Sequence, residues 1–205
     1  MKKLLIATKN PGKLQELTGF LRDLPLTTVS LSEIGIVDDV EENFFTYEEN
    51  AKKKAVYYAK KSGLPSLADD GGIEISALDN APGVRSKRWI GENATEEELM
   101  AHMQSVAASL PKENRSARFV NVVAFALPTG EVWTSRGEIQ GEIAKEPFVA
   151  KSDGLPYRLF FFLPSLGKYY HEDSLSSTQM RQLNHRRHSV LLIMPVLKEK
   201  LLTSD

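Results

Sequence analysis

Three stretches of this 205-residue chain carry charged and hydrogen-bonding side chains at spacings that suit the handling of phosphate. The first is Thr8-Lys9-Asn10-Pro11-Gly12-Lys13, directly after a short apolar run at 4–7. Asn is a favoured N-cap and Pro a favoured first helical residue, so a helix is predicted to begin right after a strand. The free N–H groups and the positive dipole end of such a helix attract an anion. Lys9 flanks that end and Lys13 falls in the first turn, where the dipole disfavours a cation by about 0.3–1 kcal/mol. A bound phosphate would reverse that sign. The segment is not a Walker A loop, because Ala7 stands where the first Gly belongs and Leu14 follows the Lys. Alone it also reads as a capped helix with two solvated lysines.

The second stretch is acidic. Glu41 and Glu42 precede a predicted helix, and Asp69-Asp70-Gly71-Gly72 follows an apolar pair, Leu67-Ala68. Adjacent carboxylates in a sharp glycine turn suit Mg²⁺, which takes one or two carboxylates and completes its shell with phosphate oxygens and water. The plain alternatives are an acidic surface loop and an ordinary Asp-Gly turn. The third stretch is Asn184-His185-Arg186-Arg187-His188, rich in donors that suit a carbonyl or a phosphate, and equally a basic patch on an amphipathic helix. Asn50 and Lys54 share one face of the second helix at i, i+4. By itself Lys54 would pass for a surface lysine, and Lys52 and Lys53 read as solvated. The four scattered His make no argument for a Ser-His-Asp set, and no His-Glu-x-x-His pattern supports zinc.

The elements that must position these residues alternate between periods. Residues 4–7 predict a buried first strand, an apolar run too short for a signal peptide. A helix is predicted to about residue 24, a strand at 26–31, and a helix from Thr46 to about 62, with Glu49 completing a capping-box pattern. The apolar pair 67–68 and an alternating strand at 73–77 flank the Asp-Asp-Gly-Gly turn. Thr95 starts another helix. A hairpin is predicted over 118–127 and 131–143 across Pro128-Thr129-Gly130, then a loop at 151–156 and a strand at 157–163. A last helix spans about 177–201 with a bend near Pro195. Interleaved strands and helices give an α/β class, and the hairpin argues against a wholly parallel sheet.

Composition narrows the function. With 41% apolar and 26% charged residues, the chain is an ordinary globular one. Lys plus Arg number 26 against 27 Asp plus Glu, a balance that argues against wholesale nucleic-acid binding. There is no Cys, which removes disulfide frameworks, thiolate zinc sites and cysteine nucleophiles and suits a cytoplasmic protein. No stretch reaches the roughly 18 apolar residues of a membrane helix.

Together the segments resemble the inosine triphosphate pyrophosphatase family, over nearly the whole chain and in the right order. Thr8, Asn10 and Lys13 match its Thr/Ser-x-Asn-x-x-Lys loop. Glu41-Glu42 and Thr46-Tyr47-Glu48-Glu49-Asn50-Ala51 resemble its Glu-Glu-Thr-Gly and Thr-Phe-x-Glu-Asn-Ala, and Lys54-Ala55 the Lys-Ala that follows. Residues 67–77 resemble Ala-Asp-Asp-Ser-Gly-Leu-x-Val. Ala81-Pro82-Gly83-Val84, with Ser86 and Arg88, resembles Ala-Pro-Gly-x-x-Ser-x-Arg.

The resemblance implies an α/β fold with an elongated mixed sheet and flanking helices, in two lobes around a central cleft. It implies a single pyrophosphatase domain over 1–205, usually a homodimer. Thr8, Lys9, Asn10, Pro11, Gly12, Lys13 and Lys54 would hold the triphosphate. Glu41 and Asp70 would bind Mg²⁺, with Asp70 also the general base, and Gly71 would line the substrate site. His185 and Arg186 would contact the purine, as would the base loop at Gly154, Leu155, Pro156, Tyr157 and Arg158. The implied reaction is Mg²⁺-dependent hydrolysis of non-canonical purine nucleoside triphosphates to monophosphate and pyrophosphate, with neither nucleic acid nor membrane as partner. The same chemistry on another nucleotide, or a nucleotide-binding protein without catalysis, are the alternatives.

The departures from the pattern cluster at the base end. The family's Gly-Phe-Gly-Tyr-Asp-Pro becomes Gly154-Leu155-Pro156-Tyr157-Arg158-Leu159. The Lys five residues before its His becomes Met180, and the Gly after its Arg becomes Arg187. Nearer the amino terminus, Asn43-Phe44 replaces Thr-Gly and Gly71 replaces a Ser. Arg158 is the expected cation at the base, where its planar fork would meet a purine 6-oxo group. The plain alternative is that Arg158 faces solvent or a partner subunit.

Overall fold

Among the described residues, strands β1 (Lys2–Ile6), β2 (Leu26–Ser30), β3 (Ser66–Ile75), β4 (Ser116–Ala126), β5 (Val132–Ile143), β6 (Phe161–Leu163) and β7 (Lys168–Tyr169) interleave with five α-helices. These are α1 (Pro11–Leu21), α2 (Tyr47–Ser62), α3 (Glu96–Ser109), α4 (Ser177–Leu183) and α5 (His185–Leu202). The computed structural model describes residues 2–203; Met1, Ser204 and Asp205 lie outside it. The strands form one mixed sheet in the order β2-β1-β3-β4-β5-β6-β7. β1 runs parallel to β2 and β3, whereas β6 runs antiparallel to β5 and β7. The β4–β5 hairpin closes with Leu127 N–H donating to Glu131 O at 2.9 Å. Among the described residues no helix is long and apolar enough to cross a membrane.

The chain divides into two compact units. Unit 1 runs to residue 70, then takes 121–137, then 186 onward; unit 2 takes 71–120 and 138–185. Each has its own apolar core. In unit 1, Leu4, Ile6, Leu17, Leu21, Leu67, Val123, Phe125 and Ile193 pack α1 and α5 on the odd-numbered face of β3 and β4. In unit 2, Ile73, Ile75, Met103, Phe119, Phe160, Phe161 and Tyr170 make the core, with Met180 packed against it.

Capping chemistry sets the helix starts as the sequence predicts. Asn10 accepts from Lys13 N–H with Pro11 as the first helical residue. Thr46 accepts from Glu49 N–H, and Gly63 ends α2 with φ 69°, a left-handed conformation that costs glycine little. α3 carries a full capping box between Thr95 and Glu98.

Three expectations change. Residues 69–72 do not turn: β3 runs unbroken through both aspartates and both glycines. The predicted strand at 157–163 opens as a 3-10 turn over Pro156–Phe160, and only Phe161–Leu163 is extended. Tyr157, Arg158, Leu159 and Phe160 are buried in succession, which a strand's alternation does not allow when one face is wet. The last helix breaks in two at Asn184, which is extended at ψ 110°, while Pro195 sits inside α5.

The strand accommodates Gly72 for a packing reason. A Cβ there would lie 2.2 Å from Ser86 Oγ and 2.4 Å from Gly83 O. Ser86 Oγ cannot give way freely, since it accepts from Ile73 N–H at 3.0 Å and donates to Gly83 O at 2.6 Å. Gly72→Ala should therefore lower the unfolding free energy by about 1–3 kcal/mol, the cost of overpacking. Gly19→Ala, at an exposed position of α1 where a Cβ meets nothing, should raise it by about 0.5–1 kcal/mol. Urea unfolding checks both; equal midpoints for wild type and Gly72→Ala would contradict the packing.

Candidate active site

Successive side chains of a strand point to opposite faces, so β3 sends Asp69 and Asp70 in opposite directions. Asp69 shares the face of Leu67 and meets α1, β4 and α5. Its Oδ2 takes Asn121 Nδ2 at 2.7 Å, Arg186 Nε at 3.0 Å and Lys13 Nζ at 3.1 Å. Arg186 Nη1 also pairs with Glu16 of α1, and Asn121 Oδ1 accepts from Ser189 Oγ at 2.7 Å. Asp69 is 1% exposed. Burial alone would raise its proton affinity, but Lys13, Arg186 and Lys54 overcome it and hold the carboxyl well below the usual range. Burial opposes the Arg186 charge as well, and Glu16 and Asp69 more than offset it. Lys13 is pushed down by burial, and the Lys54 and Arg186 cations add to that against the pull of Asp69.

Asp70 faces α2. Asn50 Nδ2 donates to its Oδ2 at 3.1 Å, while Asn50 Oδ1 accepts from Phe44 N–H at 3.1 Å and so ties the preceding loop to the site. Lys54, one turn further on the same face of α2, is buried. Its Nζ reaches Asp69 O at 2.5 Å and Glu42 Oε1 at 2.5 Å. Burial pushes the Asp70 carboxyl up, with Glu42 adding to it, against the opposing Lys54 and Lys13. Lys54 itself is raised: burial works against its charge, and Asp70, Glu42 and Asp69 prevail. Two neighbouring carboxyls are thus driven in opposite directions by their faces of the strand.

The acidic loop is held down by lysines. Lys9 Nζ donates to Val37 O at 2.9 Å and lies 3.3 Å from Asp39. Lys53 is not a free surface cation: its Nζ donates to Glu41 O at 2.7 Å and Asn43 Oδ1 at 3.0 Å. The loop orients the two glutamates differently. The Glu42 carboxylate points to Lys54 and the Asp70 side, whereas the exposed Glu41 carboxylate accepts from Asn43 Nδ2 at 3.3 Å. At the start of α1, Thr8 Oγ1 accepts from Asn10 N–H at 3.2 Å, and Gly12 is buried.

Unit 1 thus assembles Thr8, Lys9, Asn10, Pro11, Gly12, Lys13, Glu41, Lys54, Asp70 and Arg186. Gly71, Gly154, Leu155, Pro156, Tyr157, Arg158 and His185 belong to unit 2. There Asp153 and Gly154, with φ 47° and 80°, turn the chain sharply before Pro156. Tyr157 is buried, donates to Ser86 O at 2.6 Å and lies beside Trp89. Arg158 is 7% exposed, so it does not face solvent; its guanidinium sits 4.8 Å from the Tyr170 ring centroid. His185 is buried against Tyr170 and Phe119.

Among the described residues, no group of three or more His, Cys, Asp or Glu side chains converges to hold a metal. The donors near Asp70 are hard carboxylate oxygens, its own and those of Glu42. That set does not fit a cation caged by protein alone. It fits Mg²⁺, which takes one or two carboxylates and the oxygens of a bound phosphate.

The comparison with known proteins decides the family. The Ham1 family model matches residues 4–195. The chain belongs to the Ham1 family. A relative named dITP/XTP pyrophosphatase, from Geobacter sulfurreducens, is 39% identical over 193 residues, covering 94% of this chain and 95% of its own. One of the same name from Yersinia pseudotuberculosis is 35% identical over 203 residues, covering 97% and 100%. Among solved structures, a HAM1 protein from Coxiella burnetii superposes with a TM-score of 0.81 at 35% identity, covering 97% of this chain and all of that one. The Staphylococcus aureus Ham1 protein gives 0.79 at 32%, with the same coverage. The Ham1 fold and the mixed seven-stranded sheet described above agree.

Sequence reasoning passed over Asn121, Glu16 and Tyr170. Asn121 was detectable as the one amide inside the apolar run of β4, Phe119-Val120-Asn121-Val122-Val123. Glu16 and Tyr170 carry no such local signal.

The opposite drives on the two aspartates predict opposite effects on stability. Asp69→Asn leaves Lys13 and Arg186 facing a neutral group in a buried site, and breaking such a pair costs about 3–5 kcal/mol. Asp70 has a raised folded pKa, so above its unfolded pKa the charged carboxyl weakens the fold. Asp70→Asn should therefore be at least as stable as wild type at neutral pH. Thermal or urea unfolding of the two variants checks this; Asp70→Asn as unstable as Asp69→Asn would contradict the assignment of faces.

Proposed function

We propose that the protein hydrolyses non-canonical purine nucleoside triphosphates, the inosine, deoxyinosine and xanthosine forms, to the monophosphate and pyrophosphate. Family membership and the names its relatives carry make it a nucleoside triphosphate pyrophosphatase, a hydrolase of acid anhydrides. The observation that carries the finer reading is one carboxyl, Asp70, buried with a raised proton affinity near two lysines, the buried Lys54 and the half-buried Lys13.

Each part has a task. Thr8 to Lys13 present the N-terminal N–H groups of α1 and the Lys13 cation to phosphate oxygens, with Lys9 at the edge and Lys54 from α2. Asp70, together with an acid of the Glu41-Glu42 pair, would hold Mg²⁺. When bound, the metal neutralises phosphate charge and polarises a phosphoryl oxygen. Burial brings the Asp70 carboxylate closer to the proton affinity a general base needs. It accepts a proton from water as the water oxygen bonds to phosphorus and the anhydride bond breaks. The departing pyrophosphate takes the bonding pair, and Lys13 and Lys54 stabilise its charge. Gly71, Gly154, Leu155, Pro156, Tyr157, Arg158, His185 and Arg186 are proposed around the nucleoside. Nucleotide-pool cleansing as a cytoplasmic homodimer belongs to the same proposal; the absence of Cys suits a reducing compartment.

In a pyrophosphatase-free assay with Mg²⁺, inosine triphosphate should yield pyrophosphate and no orthophosphate, and chelation should stop the reaction. Asp70→Asn should turn over about 10²–10⁴-fold more slowly, the share of a general base. Orthophosphate as the sole inorganic product would refute the cleaved bond. Turnover of Asp70→Asn near wild type would remove Asp70 from the chemistry.

A further inference from the structure

His171, in unit 2, is only 6% exposed, and the hydrolysis just described gives it no part. Its backbone is fixed to the core. Tyr170, fully buried, donates its N–H to Phe161 O of β6 at 2.8 Å, and the His171 carbonyl accepts from Ser174 N–H at 3.0 Å and Leu175 N–H at 2.9 Å. From that fixed corner the ring reaches a loop 20 residues earlier, where Nε2 lies 2.9 Å from Lys151 O. A carbonyl oxygen only accepts, so the nitrogen donates. On the other side Nδ1 accepts from Asp173 N–H at 3.2 Å, and the Phe148 ring lies 5.4 Å away between centroids. Tyr169, two residues before His171, donates its hydroxyl to Glu146 O at 2.9 Å. One corner of the core therefore grips the loop at 146 and again at 151. The Ser152 hydroxyl also bonds Glu96 of α3, but at an exposed position. The His171 bond is the better shielded of the two and keeps more of its strength. Just beyond Lys151 the chain turns at Asp153 and Gly154, and Leu155 N–H closes on Ser152 O at 2.8 Å.

We propose that His171 is a positioning residue for nucleoside binding: by holding Lys151 O it fixes the turn at 153–154 and with it the placement of Gly154 and Leu155. This rests on the reading of 154–158 as the nucleoside segment. His171 touches no substrate and acts through the loop backbone. Its effect falls on binding rather than on bond cleavage, because Asp70, Lys13 and Lys54 belong to unit 1 and have none of their contacts with it. A loop held in its binding geometry before the ligand arrives pays less ordering cost on binding. Releasing it therefore weakens the hold on the nucleoside and leaves the hold on the phosphates as it was.

Two variants separate the ring's two bonds. Gln carries its amide nitrogen near the place of Nε2, whereas Asn reaches only as far as Nδ1. His171→Gln should keep the grip on Lys151 O, and His171→Asn should keep the turn at Asp173 and release the loop. Three readouts are compared: amide hydrogen exchange over 149–155, kcat and KM for inosine triphosphate, and inhibition by inorganic tripolyphosphate, which has phosphates but no nucleoside. His171→Asn should exchange faster over 149–155 and raise KM about tenfold, the scale of one lost polar contact, with kcat and tripolyphosphate inhibition unchanged. His171→Gln should match wild type in all three. Unchanged exchange in His171→Asn, or a His171→Gln as impaired as His171→Asn, would overturn the positioning role. Weakened tripolyphosphate inhibition in His171→Asn would overturn it too, since the damage would then reach the whole fold. Faster exchange with an unmoved KM would instead remove 154–158 from the nucleoside and overturn the functional half alone. A wild type that leaves inosine triphosphate intact would refute the proposed function, and exchange alone would then decide the grip.

Discussion

The carboxylate of Asp69 is the point on which unit 1 depends. One oxygen of one buried side chain gathers an amide from β4, a guanidinium from α5 and an ammonium from α1. A buried ion pair often returns little net stability, because desolvation opposes the attraction. Its effect here is positional. Once Asp69 is charged, Lys13 and Arg186 have fixed places to go, and the first turn of α1 is held against the middle of β3. Glu16 balances the second cation, so the cluster carries two acids and two bases.

The same strand then supplies a second acid with the opposite character. Asp70 is the next residue, yet alternation takes it away from the Arg186 side and toward Asn50 and Lys54 of α2. Pairs of titratable groups driven apart by their environments mark a division of labour. Asp69 remains an anion that organises. Asp70 is a carboxyl for which charge is costly, and a group of that kind responds to a cation or takes up a proton. A carboxyl raised by burial weakens the fold above its unfolded pKa.

Local chemistry was readable where it is local. Asn10-Pro11 announced the cap of α1, Thr46 and Thr95 the starts of α2 and α3, and Pro128-Thr129-Gly130 the hairpin. The errors came from signals with two physical meanings. The glycines after Asp70 resemble a turn, but Gly72 is small because Ser86 and Gly83 O press against it, and the strand continues. The apolar run at 157–163 resembles a strand, but a 3-10 turn buries four side chains in a row without alternation. The cluster around Asp69 was out of reach for another reason: Arg186 lies 117 residues away and Asn121 lies 52 away. Lys54, which reads as a surface lysine, is buried because Glu42, Asp70 and the Asp69 carbonyl surround it. At the base end, the changes to Arg158 and Met180 were visible one by one. In the structure the Arg158 guanidinium lies over the Tyr170 ring and Met180 packs against the apolar core, contacts between residues too far apart in sequence to be read from it.

In the function proposed for this chain, β3 fixes a phosphate end made of Lys13 on α1 and Lys54 on α2. The most direct test is the affinity of a non-hydrolysable nucleoside triphosphate for wild type, Lys13→Ala and Lys54→Ala, measured by calorimetry at fixed ionic strength. A charge-assisted contact is worth about 1.5–3 kcal/mol, so each variant should bind about 10–150-fold more weakly. Equal dissociation constants for all three proteins would contradict the account and place the triphosphate elsewhere.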